Sequence, residues 1–235
     1  MTITFKTFLN ENQSGRYTAD EIQLKVIEYV IDSNMTPETV KVLNDMFKNQ
    51  SYYNQSFKRN VFSNKPLYRF VGFSRKKLGD KQLTSTSQIL SLLQQHEMSS
   101  NKRPYYSWTY DKKAALQIAK QWLRHHEAGV ILETEVAGLQ IDQLFNDHDD
   151  SVLLSLDNIK SVSLASSTMD DFGDDYDEEL YLPIPDEVYS EKEVLAPKNT
   201  PLSIMSFALA DAKKGVVIYD VDDFKEFIEH FNSLK

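Results

Sequence analysis

The chain has 235 residues, of which none is cysteine and only seven are glycine. Without cysteine there is no disulfide scaffold, no thiolate metal site and no cysteine nucleophile, and the redox compartment stays undetermined. The nearest pair of glycines, Gly72 and Gly79, lie seven residues apart, so neither a GxGxxG turn nor a Walker-type phosphate loop can be written. No Gly-x-Ser-x-Gly elbow offers a serine nucleophile, and the five histidines form no HExxH pair. No apolar run approaches the roughly 20 residues of a membrane-spanning helix. The opening MTITFKTFLNENQSGRY has no basic start leading into an apolar stretch, so a secretory leader is not expected. Any nucleotide bound here must be held by something other than a glycine-rich loop.

What is present is the composition of an ordinary globular protein, 41% hydrophobic and 26% charged, long enough to bury a sizeable core. The net charge of −9 argues against a general nucleic-acid binder, whose footprint is basic. The charge is unevenly placed, however. Residues 58–124 hold fourteen Lys/Arg and three Asp/Glu, a net of +11, whereas residues 142–193 hold sixteen Asp/Glu against Lys160 and Lys192, a net of −14. Either the two segments neutralise each other across one surface, or they serve ligands of opposite sign. The acidic run over 170–179 (DDFGDDYDEE) lacks the closing glutamate of an EF-hand and reads as a solvated loop. His125 and His126 end a helix, where the dipole favours them, and no metal site is expected.

The first sixty residues read as helical. Ile22, Val26, Ile27, Val30 and Ile31 recur at helical spacing within 20–32. Thr36-Pro37 is a helix start, with Val40, Leu43 and Phe47 as an apolar stripe, and 51–60 reads as a connector. Strand-like runs then appear at 67–73, 104–109, 130–136, 188–195, 202–210 and 215–221. Between them a modest helix covers 89–95. A second follows Asp111, with Ala115, Ile118, Ala119 and Trp122 as its apolar face and Gly129 as its stop. A last helix after Asp222 carries Phe224, Phe227, Ile228 and Phe231. Strands and helices do not alternate strictly, which disfavours a doubly wound parallel sheet. The expectation is an α+β protein, with a helical region over 1–60 and a mixed domain over 61–235.

Three segments stand out in order: Leu67-Tyr68-Arg69, Tyr106-Ser107-Trp108-Thr109, and Glu191-Lys192-Glu193-Val194-Leu195-Ala196-Pro197. Singly, each reads as ordinary strand sequence. Glu191 and Glu193, two apart on an extended segment, face one side and repel each other unless a cation compensates.

Together the three segments resemble the ADP-ribosyltransferase family, in the subgroup marked by Arg, Ser and Glu. In that family an Arg ends the first core strand, often as Leu-Tyr-Arg. A Ser-x-Thr/Ser on a later strand leads into a helix with spaced alanines, and a Glu/Gln-x-Glu at a loop-to-strand junction often continues as Val-Leu-x-Pro. The matches here are Arg69; Ser107 and Thr109 followed by Ala114, Ala115 and Ala119; and Glu191, Glu193 and Pro197. The resemblance spans about residues 66–221 and leaves the N-terminal helices aside. Phe70 stands where many members have glycine, so the backbone that grips the nicotinamide amide would be shaped differently. Ser85-Thr86-Ser87 is a rival second motif, but it follows Arg69 by only sixteen residues and has no aromatic strand before it.

The resemblance implies a mainly antiparallel, split β-sheet core and a mono-ADP-ribosyltransferase that cleaves NAD at its nicotinamide–ribose bond and passes ADP-ribose to a protein side chain. Glu193 would stabilise the positive charge that develops on the ribose, as a carboxylate does in glycoside hydrolysis. Arg69 would hold the NAD diphosphate, and Ser107 would orient Glu193, with Thr109 supporting the strand. Phe70 falls in the same NAD-binding set. Glu191 would mark arginine as the acceptor, and Tyr189 would stack on the incoming guanidinium. No metal is implied. The implied partners are NAD and a target protein met by the N-terminal helices, with nucleic acid the less favoured acceptor and no membrane. The expected location is the cytoplasm, or a host cytosol into which the protein is delivered. Phe5–Leu9 resembles the start of phage head proteins, and phages carry transferases of this family. Three alternatives stay open: an NAD glycohydrolase, a transferase acting on nucleic acid, and a non-enzymatic binding module.

Overall fold

The computed structural model of the chain describes residues 17–32, 36–74, 84–93, 104–145, 151–155, 179–183 and 192–234. Among these, six α-helices and ten strands form two compact units, Met1–Val61 with Gln143–Pro185, and Phe62–Asp142 with Asp186–Lys235. The sequence reading assigned 143–185 to the mixed domain; that segment shares a unit with the helices instead. Within the described residues no helix is long and apolar enough to cross a membrane.

The first unit contains α1 (Ala19–Asp32), α2 (Pro37–Lys48) and α3 (Gln50–Ser56), together with the antiparallel pair β6 (Ser151–Ser155) and β7 (Glu179–Pro183). Thr36 caps α2, its hydroxyl accepting from the Thr39 N–H at 3.1 Å, and Pro37 occupies the first turn where no N–H is needed. The buried stripe of α2 is Thr39, Val42, Leu43 and Met46, rotated from the expected Val40, Leu43 and Phe47. The expected connector over 51–60 is largely α3. Its buried Tyr53 ring and the hydroxyl bond to Asp45 anchor a sequence in which Ser, Tyr and Asn, weaker helix formers, outnumber Gln. Burial first, and then the Asp45 carboxylate, push the Tyr53 hydroxyl far above its ordinary value. Segment 143–145 is tied to α1 by Gln23 Nε2 donating to the Leu144 carbonyl, and to the chain beyond α3 by Arg59 Nη1 donating to that of Phe145 at 3.1 Å.

The second unit is one sheet of eight strands in the order β1-β5-β8-β3-β2-β4-β9-β10, every pairing antiparallel. The strands are β1 (Phe62–Ser63), β2 (Leu67–Phe73), β3 (Tyr105–Thr109), β4 (Ala128–Thr134), β5 (Gly138–Gln140), β8 (Glu193–Pro197), β9 (Ser203–Asp211) and β10 (Gly215–Asp220). One face carries Leu67, Val71, Tyr106, Trp108, Val194 and Phe207, packed under α4 (Thr86–Leu93) and α6 (Phe224–Ser233) through Ile89, Leu92, Phe227 and Phe231. The other face is covered by α5 (Lys112–Trp122), whose Ala115 and Ala119 meet Ile131, Tyr68 and Phe70. The small alanines let α5 lie close to the sheet. Trp122, expected on its apolar face, is 56% exposed at the helix end and stacks on His126, which itself presses against Gly72. Gly129 does not stop α5. It lies inside β4 beneath the Phe70 ring. A 3-10 turn over Val221–Asp223 leads into α6, so Asp222 is not its cap.

The β9–β10 turn and α6 are joined through Asp211. Its Oδ1 accepts from the Lys213 and Lys214 amides at 2.7 and 2.9 Å, and its Oδ2 meets His230 Nε2 at 2.8 Å. The other ring nitrogen of His230 pairs with the Tyr219 hydroxyl. The backbone amides of Lys214 and then Lys213 hold the carboxyl below its ordinary 3.8, and His230 adds to them against the opposing effect of burial. Because the folded value is depressed, this contribution is complete above the unfolded value and is lost as pH falls through the folded one. The melting temperature of the wild type is therefore expected to fall more steeply than that of Asp211→Asn between about pH 4 and pH 2, the two curves converging at the acid end. Parallel curves would remove Asp211 from the acid response.

Candidate active site

Arg69, Ser107 and Glu193 come from three adjacent strands, β2, β3 and β8. The strand β3 pairs with β8 over its whole length, Ser107 opposite Leu195 and Thr109 opposite Glu193. Ser107, Thr109 and Glu193 therefore share a face, and the Ser107 hydroxyl donates to Glu193 Oε1 at 2.7 Å. Such a bond to a carboxylate is of the strong, charge-assisted kind, and it fixes one oxygen of Glu193.

On its other side β3 behaves differently. It meets β2 at one residue pair only, Tyr68 with Thr109, while β2 pairs with β4 along all seven residues. The sheet opens between the arginine strand and the serine strand. Arg69 reaches into the opening, where its Nη1 donates to the Ser107 carbonyl at 2.7 Å and its guanidinium lies 4.7 Å from the centre of the Tyr106 ring. Arg69 is in phase along β2 with Leu67 and Val71, on the side of α4 and α6, whereas the hydroxyl of Ser107 and Glu193 lie on the side of α5. The Ser107 backbone links the two. Burial, and after it the Glu133 carboxylate, raise the hydroxyl of neighbouring Tyr68 above its ordinary value.

Glu193 is held at its backbone as well. Its carbonyl accepts from the Ile141 N–H at 3.0 Å, just past the end of β5. The preceding Lys192 has φ of +53°, left-handed for a residue with a Cβ, so the chain enters β8 through a strained turn. Thr109 is buried, and its hydroxyl accepts from the Asp111 N–H at 3.0 Å. That bond fixes the turn that sends the chain into α5, whose first turn is capped by Asp111 accepting from the Lys113 N–H at 2.8 Å. Beside this turn the Tyr110 hydroxyl donates to Asp142 Oδ2 at 2.9 Å, tying β3 to the chain beyond β5.

Of the remaining residues singled out in the sequence, Phe70 turns to the α5 side and lies over Gly129. Glu191 and Tyr189 lie outside the described residues, as does most of the acidic run over 170–179. Ser85-Thr86-Ser87 opens α4, the Ser85 hydroxyl accepting from the Gln88 N–H at 3.2 Å. No group of three or more potential metal ligands occurs among the described residues. The roles of Tyr106 and Lys192, which stand inside the signature segments, and of Tyr110 and Asp142 beside them depend on tertiary contacts that sequence spacing does not show.

Comparison of the chain with protein-family models, with curated proteins and with solved structures gives no match to any of them.

Proposed function

We propose that the chain is a mono-ADP-ribosyltransferase, taking NAD as co-substrate and an arginine side chain of a target protein as acceptor. The observation that carries this reading is the 2.7 Å bond from Ser107 to Glu193, with Arg69 bound to the carbonyl of the same serine. An accepting carboxylate and a donating guanidinium, linked through Ser107, suit the two charged parts of a dinucleotide in reaction. Its diphosphate is anionic, and its glycosidic carbon becomes positive as the bond breaks. The opening of the sheet between β2 and β3 supports a split core of the ADP-ribosyltransferase type.

NAD supplies the ADP-ribosyl group and the nicotinamide leaving group. Arg69 binds the diphosphate by charge-assisted hydrogen bonds, doing the work that a glycine-rich loop does elsewhere. Ser107 orients Glu193. The Glu193 carboxylate is worth more to the transition state than to the bound substrate, because the positive charge it faces is only then developing. Glu191 takes the acceptor guanidinium and helps remove its proton, and Tyr189 stacks on it.

The test is incubation with NAD labelled in its adenylate moiety, in the presence of cell lysate. Nicotinamide release is expected together with label on protein, found on arginine by mass spectrometry. Release without protein label would mean a glycohydrolase. Label on RNA or DNA would move the acceptor to nucleic acid. No release, and no heat of NAD binding in calorimetry, would leave a binding module.

A further inference from the structure

Two contacts of the Arg69 guanidinium fall on consecutive residues of β3. Its Nη1 donates to the carbonyl of Ser107 at 2.7 Å, and its centre lies 4.7 Å from the ring centre of Tyr106. The Tyr106 ring is buried to 4% exposure, fixed among core residues between β2 and β8, so its face is a stationary surface. A cation within about 6 Å of such a face is attracted by the ring quadrupole, most strongly where water is displaced. A second cation uses the same ring from farther off. Lys198 Nζ lies 5.8 Å from its centre, with the Lys198 N–H donating to the Pro104 carbonyl at 2.8 Å. The shorter distance makes Arg69 the principal partner. A hydrogen bond to a carbonyl places a donor atom but does not by itself set the plane of the guanidinium. The ring adds a plane, and the two together set both the position and the orientation of the fork.

We propose that Tyr106 is the positioning residue of Arg69, its ring face presetting the guanidinium for the diphosphate of the dinucleotide. This rests on the transferase reading above. The Tyr106 ring lies on the α4 and α6 side of the sheet, opposite the face that carries Glu193, and Arg69 binds the diphosphate alike before and during bond cleavage. Loss of the ring therefore weakens binding uniformly and should raise KM with little change in kcat.

The experiment compares wild type with Tyr106→Leu and Tyr106→Phe. It reads steady-state nicotinamide release, calorimetric binding of ADP-ribose and thermal melting. Tyr106→Leu keeps an apolar side chain in the core but removes the π-face. It is expected to raise KM for NAD, and Kd for ADP-ribose, about tenfold with kcat within about twofold. Tyr106→Phe retains the face and is expected to restore both constants to wild-type values at an unchanged kcat. Leucine binding as tightly as tyrosine would overturn the proposal. So would a phenylalanine variant as weak as leucine, which would move the effect to the hydroxyl. A fall in kcat at constant KM would place Tyr106 in the chemistry and overturn it too. If Tyr106→Leu is unfolded in the melting scan, the phenylalanine variant decides alone by the same two constants. Wild-type protein that binds neither NAD nor ADP-ribose would be a failure of the transferase reading, a result separate from any of these.

Discussion

Replacing Glu193 with glutamine is expected to lower kcat for nicotinamide release by about 10²–10⁴-fold and to leave KM for NAD within a few-fold of wild type. Glutamine keeps the volume of the side chain, and its amide oxygen can still accept the Ser107 hydroxyl that now donates at 2.7 Å. What it loses is the charge. In the ground state that charge faces a sugar with little to offer it. As the bond to nicotinamide lengthens, positive charge grows beside Glu193, and the carboxylate's contribution grows with it. An interaction made mainly in the transition state appears in kcat and not in KM. The fold gives an internal control. Glu193 is anchored by its backbone carbonyl on Ile141 and by the pairing of β8 with β3, neither of which the substitution touches, so the melting temperature should hold. A glutamine variant turning over at the wild-type rate would sink the proposed chemistry, whatever its affinity for NAD.

The sequence made the order Arg69, Ser107, Glu193 legible because each residue sits on a short strand whose limits are set by local chemistry. Pro66 precedes β2, Asp111 caps the helix after β3, and Pro197 ends β8. That Ser107 and Glu193 would meet could not be read from local pattern, since it depends on the register of β3 against β8. The role of Tyr106 was hidden for the same reason. An aromatic on a strand reads as core until the neighbouring strand is known to part from it. Misread elements were those where tertiary packing overrides propensity. Helix α3 is rich in Ser, Tyr and Asn, weaker helix formers, and is anchored by the buried Tyr53. Trp122 continues the apolar spacing of α5 correctly, but the helix runs out at that point and the ring stays 56% exposed. The left-handed turn at Lys192 leaves no mark in a sequence, because nothing about lysine calls for positive φ.

Gly129 shows what such a hidden contact is worth. Read locally, it ends a helix. In the fold it has a different reason to be glycine. A Cβ there would stand 2.3 and 2.4 Å from Cε2 and Cζ of Phe70 and 2.8 Å from the Val71 carbonyl oxygen. Carbon atoms in van der Waals contact sit about 3.5–4.0 Å apart, so Gly129→Ala forces the ring or the strand to move. Overpacking of this kind costs about 1–3 kcal/mol, which lowers the melting temperature by about 2–4 °C per kcal/mol in a chain of this size. Phe70→Ala alone is also destabilising, because it opens the space between α5 and β4 that the ring fills. The double variant is the informative one. With the ring gone the new methyl group has room, and the double variant should be more stable than the sum of the single losses by about 1 kcal/mol or more. The contact with the Val71 carbonyl remains and keeps the rescue incomplete. Strict additivity in melting experiments would mean that Phe70 does not rest on Gly129. The ring that stands where many members of the resembling family have glycine would then turn to some other side of β2.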